Sequence, residues 1–405
     1  MENTITKITA EEIKDSRGNP TLKVTVFVGE LFDIFSVPSG ASTGAHEAHE
    51  LRDADGKGVK IAIEKVNNVI APALIGMNVV NQKEIDRTMI ELDGTINKDN
   101  LGGNSMIGVS IAVAKVAAKV LGVETYEHLR TLSEMKPSRR IPHLYMNLIN
   151  GGKHAKNDLA FQEYHVVSDI LDASEAVNIG FKIQASLKEI IGNELGEDSL
   201  FLGDEGGYAP KISDIRKPLQ YLNEAIKINN LEGKVRLALD VASSSFFENG
   251  KYKVDGKEIT KEELLSLYAS LIEEFNLISI EDPFDEEDFE SFTKLKAEQK
   301  DLIVVGDDLT VTNKTLLDKA INQKSIGGMI IKPNQIGTLS ETLETMRLAR
   351  ENDIELIVSH RSGETDDDFI ADLAFAFGTY GLKTGSPVKS ERMVKYNRLI
   401  EISKK

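Results

Sequence analysis

Six short apolar runs in the C-terminal half, each ending in or followed at once by a polar residue, constrain the fold more than any other feature. They cover residues 235–240, 277–281, 302–307, 328–332, 355–360 and, more weakly, 381–383. Amphipathic stretches with helical spacing lie between them, for example at 262–275, 339–351 and 367–377. Strands and helices that alternate in this way form βα units around a parallel sheet. Six or more units favour a (β/α) barrel, with a doubly wound sheet as the alternative.

The polar residues that end these runs predict a single site, because side chains at the C-terminal strand ends of a barrel converge. They are three acids and three bases: Asp240, Glu281, Asp307, Lys332, His360 and Lys383. Three carboxylates in one pocket repel one another unless a cation compensates them. The chain has no cysteine and only seven histidines, so a hard cation with oxygen ligands, such as Mg²⁺, fits best. An acid that merely ends a strand or caps a helix is the plainer interpretation of each one alone.

The two lysines at strand ends are candidate catalytic residues, and further candidates lie outside the apolar runs. A cation beside Lys332 and Lys383 disfavours the ammonium form, so we expect the pKa of one to fall towards the range of a base. Glu205 lies between glycines at 203–207, and Gln162 and Glu163 end an alternating run. The glycine-containing loops at 40–44 and 150–154 resemble lids, although plain surface loops would look the same.

The segment 136–142 marks a boundary, because it is basic and carries two prolines. Before it, strands are predicted at 21–28 and 31–37 and helices at about 59–71 and 105–121, which indicates an α+β unit. We therefore predict an N-terminal domain over 1–137 and a barrel domain over 138–405.

Composition excludes several classes of function. The net charge of −17 makes the chain a poor binder of nucleic acid or anionic membranes. Absence of cysteine excludes disulfides, thiolate metal sites and cysteine nucleophiles. The first residues lack the apolar core of a secretory signal, and the apolar window at 107–121 is too short for a membrane span and carries two lysines. We expect a buried helix there, no membrane span and a cytoplasmic location.

Nine motifs, in order along nearly the whole chain, resemble those of the enolase family. They are DSRGNPT (15–21), PSGASTG (38–44), ELDGT (91–95), GDEGGYAP (203–210), SIEDPF (279–284), GDDL (306–309), KPNQIGT (332–338), SHRSGET (359–365) and KTG (383–385). This resemblance implies a small N-terminal α+β domain followed by a modified eight-stranded (β/α) barrel of the TIM type. It also implies a homodimer or larger homo-oligomer and the Mg²⁺-dependent conversion of 2-phosphoglycerate to phosphoenolpyruvate, a step of glycolysis and gluconeogenesis.

The same resemblance implies roles for individual residues. Two Mg²⁺ ions are expected, the first on Asp240, Glu281 and Asp307 and the second, arriving with substrate, on Ser42. The implied catalytic residues are Lys332 as general base, Glu205 as general acid, Glu163 in its support, Lys383 and His360. The implied substrate-binding residues are His154, Gln162, Glu163 and Lys383, together with Arg361 and Ser362 for the phosphate.

The chain departs from the family at a few positions. Ser245 stands where a glutamate is usual, Lys156 where a glycine is usual, and the usual acidic C-terminal tail is replaced by Ser403, Lys404 and Lys405. Three alternatives therefore stay open. They are a relative that acts on a different acid, a non-catalytic homologue, and a serine hydrolase that uses Ser42 in the G-x-S-x-G pattern of 40–44.

Overall fold

The computed structural model describes residues 3–40, 44–136 and 140–405. Its N-terminal part is a three-stranded antiparallel sheet covered by helices. The strands, in sheet order, are β1 (Lys7–Lys14), β2 (Pro20–Val28) and β3 (Leu31–Ser36). The helices are α1 (Lys60–Lys65), α2 (Ala71–Leu74), α3 (Gln82–Asp93), α4 (Gly103–Leu121) and α5 (Thr125–Thr131), with a π-helical turn at Val66–Ile70 between α1 and α2.

The N-terminal core forms because β2 alternates along its length. Leu22, Val24 and Val26 are buried on one face, which packs against α4. Within the described residues, α4 is the one helix long and apolar enough to cross a membrane, but 78% of its most apolar window is buried. It is the buried helix that the sequence predicts at 107–121.

The remainder of the chain is an eight-stranded closed barrel, which confirms the predicted architecture. The strands of this region are β4 (His143–Asn150), β5 (Glu163–Ser168), β6 (Val235–Asp240), β7 (Phe247–Glu248), β8 (Lys251–Val254), β9 (Lys257–Ile259), β10 (Leu277–Glu281), β11 (Ile303–Gly306), β12 (Gly328–Ile331), β13 (Glu355–Ser359) and β14 (Gly381–Lys383). The closed order is β4-β5-β6-β10-β11-β12-β13-β14, and β7–β9 form a separate small sheet. Strand β5 is antiparallel to both neighbours, while the other barrel pairs are parallel.

Helices surround the barrel, as the periodicity predicts. They are α6 (Ala173–Leu195), α7 (Lys217–Ile228), α8 (Lys261–Phe275), α9 (Phe289–Glu298), α10 (Lys314–Gln323), α11 (Leu339–Glu351), α12 (Phe369–Phe377) and α13 (Ser390–Ile402), with 3₁₀ turns at Gly152–His154, Glu197–Ser199, Ser243–Phe246 and Pro333–Gln335. Thr260 and Glu263 form a reciprocal capping box at the start of α8, and the Asn313 side chain caps α10.

A layer of side chains, one from each strand or its approach, fills the barrel interior. This apolar plug consists of Tyr145, Val167, Ala238, Ile278, Val305, Ile330, Ile357 and Tyr380. This apolar plug lies below the C-terminal mouth, where the polar side chains at the strand ends meet.

The N-terminal part contacts the mouth through backbone hydrogen bonds. Ser39 and Gly363 exchange two N–H···O bonds of 2.8 Å, and Ser16 N donates to the Glu364 carbonyl oxygen at 2.7 Å. These bonds attach the N-terminal sheet to the loop that follows β13. The predicted domain boundary at 137/138 lies outside the described residues and stays a prediction.

Candidate active site

Eleven of the residues predicted from the sequence line one cavity at the mouth. They are His154, Gln162, Glu163, Glu205, Asp240, Asp307, Lys332, His360, Arg361, Ser362 and Lys383. Glu281 does not line this cavity but contacts Lys383. Ser42, the predicted ligand of a second Mg²⁺, lies outside the described residues.

The strand ends explain this convergence. Asp240, Glu281 and Lys383 are the last residues of β6, β10 and β14. Asp307, Lys332 and His360 immediately follow β11, β12 and β13 rather than ending them, so each of those three predicted runs extends one residue past the C-terminal end of its strand.

The expectation that Glu163 ends an alternating run is wrong, because Glu163 is the first residue of β5. It still reaches the mouth because β5 runs antiparallel to its neighbours and pairs Glu163 with Asp240, the last residue of β6. The start of an antiparallel strand lies beside the ends of the strands around it.

Lys383 lies among the buried carboxylates. Its Nζ donates to Asp240 Oδ2 at 2.8 Å and to the two oxygens of Glu281 at 2.9 and 2.8 Å. It also lies 3.4 Å from Glu163 Oε1. Burial acts to lower the pKa of Lys383, but these carboxylates hold it well above its usual value. Lys383 is therefore an ammonium group that partly neutralises the acids around it.

Lys332 is paired with Asp307. Its Nζ contacts Asp307 Oδ2, and Gln335 Nε2 donates to Asp307 Oδ1 at 2.9 Å. Burial acts to lower the pKa of Lys332, but the Asp307 carboxylate raises it above its usual value. In this arrangement the pKa of Lys332 is therefore raised, not lowered as the sequence predicts for a lysine beside a cation. A metal ion held by Asp307 would offset the charge of this carboxylate and favour the neutral amine of Lys332.

The donor set of Asp240, Glu281 and Asp307 fits a hard divalent cation. Burial raises the pKa of Asp240 even though Lys383 contacts it. Burial and the Asp240 charge hold the pKa of Glu281 well above its usual value. The chain's own lysines therefore leave this carboxylate charge incompletely compensated, and every donor is an oxygen, as Mg²⁺ prefers.

Two other groups in the described part of the chain bring three potential ligand atoms within 4.8 Å of one another. One is His154 with Glu163 and Glu205, and the other is Asp282 with Asp307 and Asp308. The predicted set of Asp240, Glu281 and Asp307 is not such a group. The Nζ atoms of Lys383 and Lys332 contact these carboxylates instead.

Glu205 lies on the opposite side of the mouth among nitrogen donors. Asn147 Nδ2 donates to Glu205 Oε2 at 3.0 Å. Glu205 Oε1 lies 3.2 Å from His360 Nε2 and 3.6 Å from His154 Nδ1. The same His154 nitrogen lies 3.3 Å from Glu163 Oε1. Two carboxylates and two imidazoles therefore share one buried pocket.

The charges in this pocket shift each pKa in a definite direction. Burial and Glu163 act to raise the pKa of Glu205, but His360 and His154 bring it below its usual value. Burial acts to lower the pKa of His154, but Glu205 and Glu163 raise it. Burial lowers the pKa of His360. Of these groups, His154 is the imidazole whose pKa its carboxylate neighbours raise, so the pocket favours its protonated form more than water does.

The tautomer of His360 follows from its other neighbour. Arg392 Nη1 lies 2.7 Å from His360 Nδ1. Because a guanidinium can only donate, Nδ1 accepts this bond and is unprotonated. The proton of the neutral ring is then on Nε2, which faces Glu205.

Arg361 is held by a carboxylate from the N-terminal part. Arg361 Nη1 and Nη2 donate to the two oxygens of Glu47 at 3.0 and 3.2 Å, and Nη1 also donates to Asn334 Oδ1 at 3.0 Å. This fork-to-fork geometry fixes the plane of the guanidinium. Ser362, the next residue, is also buried at the cavity wall.

Two family models match this chain. The model described as "Enolase, N-terminal domain" matches residues 5–129, and "Enolase, C-terminal TIM barrel domain" matches residues 138–405. The chain belongs to the enolase family.

Its relatives in this family include several archaeal proteins. Over 404 residues it is 46% identical to the enolase of Methanocaldococcus jannaschii. The aligned region covers 98% of this chain and 94% of that relative. The chain is 44% identical over 407 residues to the enolase of Methanothrix thermoacetophila, covering 99% of this chain and 96% of the relative. Enolases are phosphopyruvate hydratases, which are lyases, so this chain is an enzyme of that class.

Four residues at this enolase-type mouth were not singled out from the sequence. They are Glu47, Asn147, His165 and Gln335, which donate to or accept from predicted site residues. Glu47 and Gln335 lie in or beside the quoted motifs, where they carried no separate signal. Asn147 and His165 lie within strands that read as ordinary core. The alternation of β5 offers a signal for His165, because residues two apart on a strand face the same way.

Proposed function

We propose that this chain catalyses the reversible, Mg²⁺-dependent dehydration of 2-phosphoglycerate to phosphoenolpyruvate. The observation that carries the proposal is the placement of Lys332 and Glu163 across the barrel. Lys332 follows β12 and Glu163 begins β5, and three strands separate β12 from β5 in either direction around the closed sheet. A base and an acidic pocket on opposite sides can remove a proton and a hydroxyl group from opposite faces of one substrate.

Lys332 is the proposed base. The C2 proton of 2-phosphoglycerate is next to a carboxylate, so its removal adds charge to a molecule that is already anionic. Lys383 is the residue of this chain that supports that charge, because its ammonium group lies between Asp240 and Glu281. When bound to Asp240, Glu281 and Asp307, Mg²⁺ would supply further electrostatic stabilisation of the developing negative charge.

Glu205 is the proposed acid. Hydroxide is a poor leaving group, so a proton must reach the C3 oxygen as its bond breaks. His154, whose pKa is raised by Glu205 and Glu163, is the proposed source of this proton. Glu205 then takes that proton from the pocket and delivers it, with Glu163 in support.

Arg361 and Ser362 are the proposed phosphate-binding residues, and His154 and Gln162 complete the pocket around the substrate. Arg361 is presented by its bidentate contact with Glu47. A planar, pre-oriented guanidinium suits the oxygens of a phosphate group.

A spectrophotometric assay tests this function. Purified protein is mixed with 2-phosphoglycerate in Mg²⁺, in EDTA, and in EDTA followed by excess Mg²⁺, and the ultraviolet absorbance of the enol product is followed. We expect product with Mg²⁺, none with EDTA, and recovery when Mg²⁺ is restored. Folded protein that binds Mg²⁺ but forms no product would refute the function and favour a different acid substrate or a non-catalytic role.

A cytoplasmic location and a homodimer or larger homo-oligomer remain predictions that accompany this function. Sedimentation of the purified protein tests the second, and a monomer at assay concentration would contradict it.

A further inference from the structure

The strand pair β4–β5 forms three successive layers that face into the barrel. The register pairs Tyr145 with Val167 and Asn147 with His165. Tyr145 and Val167 belong to the apolar plug. The next layer towards the mouth is therefore Asn147 with His165, and Glu163 lies one step further along β5 on the same face. We name Asn147 and His165 the donor layer.

Each member of the donor layer contacts one of the two carboxylates above it. Asn147 Nδ2 donates to Glu205 Oε2 at 3.0 Å. His165 Nε2 lies 2.8 Å from Glu163 Oε2. Both side chains are fully enclosed, with exposed fractions of 0% for Asn147 and 1% for His165. Each of the two carboxylates therefore has a buried nitrogen donor beneath it.

The surroundings of His165 determine its tautomer. His165 Nδ1 is buried and has no hydrogen-bond partner among the described residues. The Tyr145 ring packs against the imidazole in a T-shaped arrangement, with the ring centroids 6.0 Å apart. A second N–H at Nδ1 would be a buried donor without an acceptor, which is costly. The proton of a neutral imidazole therefore resides on Nε2, where an ionised Glu163 can accept it.

Because of this contact, the two carboxylate oxygens of Glu163 have different partners. Oε2 is held from below by His165, while Oε1 lies 3.3 Å from His154 Nδ1 and 3.4 Å from Lys383 Nζ. Without His165, Oε2 would be a buried oxygen lacking a donor, and rotation of the carboxylate would relieve this at the expense of the Oε1 contacts.

We propose that His165 is a positioning residue that holds Glu163, through a neutral Nε2–H imidazole, in the orientation in which Oε1 serves the substrate pocket. The kinetic consequence rests on the proposed function, in which Glu163 supports the general acid. The tautomer and the contact do not depend on that function.

Nuclear magnetic resonance of the Mg²⁺-loaded protein with ¹⁵N-labelled histidine tests the contact directly. The nitrogen shifts distinguish a protonated from an unprotonated ring nitrogen, and the His165→Gln variant assigns the His165 signals by their loss. We expect protonated Nε2 and unprotonated Nδ1 at neutral pH. A proton on Nδ1, or on both nitrogens, would overturn the proposal whatever the enzyme's activity.

Three variants test the consequence by comparing kcat with KM for 2-phosphoglycerate. His165→Leu removes the donor, and we expect kcat to fall about tenfold or more, as for other groups that orient a functional side chain, with KM nearly unchanged. His165→Gln restores an N–H at similar reach and should recover most of kcat. His128→Leu is the matched control, since His128 is equally buried, has a ring nitrogen without a partner and lies in α5.

The outcomes are distinguishable. Wild-type kcat in His165→Leu, or equal losses in His165→Gln and His165→Leu, would overturn the positioning role. A wild-type protein without turnover of 2-phosphoglycerate would refute the proposed function instead, and the tautomer measurement would still decide the contact.

Discussion

The two sides of the barrel mouth compensate their buried carboxylates in different ways. On the lysine side, carboxylates at the ends of parallel strands contact ammonium groups. On the histidine side, carboxylates contact imidazoles and an amide, and one of them, Glu163, also lies 3.4 Å from Lys383 Nζ. The lysine side consists of Asp240, Glu281, Asp307, Lys332 and Lys383, and the histidine side of Glu163, Glu205, His154, His165, His360 and Asn147.

The pKa shifts show what this difference means. On the lysine side, burial acts to raise the pKa of Asp307 but Lys332 lowers it, whereas burial keeps the pKa of Asp240 and Glu281 raised, so these two acids lack compensating positive charge. On the histidine side, burial also acts to raise the pKa of both acids. Lys383, followed by His154 and His165, lowers that of Glu163, and His360 and His154 lower that of Glu205. The first arrangement suits a cation that the chain does not itself provide, and the second suits the transfer of a proton between imidazoles and carboxylates.

The largest expected effect comes from Lys332→Ala. Because a general base contributes about 10²–10⁴-fold, we expect kcat to fall by at least that factor. Steady-state assays measure the loss, and thermal unfolding with a Mg²⁺ titration shows whether the fold and metal site persist. Lys314→Ala is the control, because Lys314 is half exposed and pairs only with the surface residue Glu344 in the described part of the chain. Turnover close to wild type in Lys332→Ala would remove this lysine from the role of base.

Asp307→Asn tests whether the carboxylates of the lysine side bind Mg²⁺. The variant removes one ligand charge while keeping the size of the side chain, so we expect the Mg²⁺ concentration for half-maximal binding to rise at least about tenfold. Isothermal titration with Mg²⁺ measures it. Asp318→Asn, an exposed aspartate on α10, should leave the titration unchanged. An unaltered midpoint in Asp307→Asn would show that the ligand set is misassigned.

Glu364→Gln gives a smaller effect on stability and has a definite pH dependence. Glu364 is buried and lies 2.7 Å from Lys395 Nζ. Burial acts to raise the pKa of Glu364, but Lys395 and Arg392 bring it below its usual value of 4.5. A carboxyl group with a lowered folded-state pKa stabilises the fold above the unfolded-state value and loses that contribution as the pH falls through its folded-state value.

We therefore expect Glu364→Gln to reduce the free energy of unfolding by about 2 kcal/mol at neutral pH, the size of a hydrogen bond to a charged group. The difference from wild type should shrink as the pH falls below about 4.5, where the unfolded-state carboxyl begins to protonate. Denaturant unfolding at several pH values measures this. A difference that stays constant or grows towards acid would contradict the sign of the shift.

The lysine side was predictable from the sequence, and the histidine side only in part. Asp240 and Glu281 end apolar runs that were predicted as parallel strands. Because parallel strands all point the same way, their last side chains lie at the same mouth of the barrel. Alternation along a strand carries no direction, so the sequence could not show that β5 is reversed and that Glu163 stands at its start. Asn147 and His165 were missed because their role depends on contacts with Glu205 and Glu163, which a polar residue inside a strand does not reveal from its sequence position.

The most direct test of the division between the two sides follows the C2 proton of 2-phosphoglycerate in D₂O by ¹H nuclear magnetic resonance. If Lys332 removes this proton and Glu205 acts only on the departing hydroxide, Glu205→Gln should lose net turnover and still exchange the C2 proton for deuterium. Lys332→Ala should show neither reaction. Exchange that persists in Lys332→Ala and disappears in Glu205→Gln would contradict the account, because it would place the base on the histidine side.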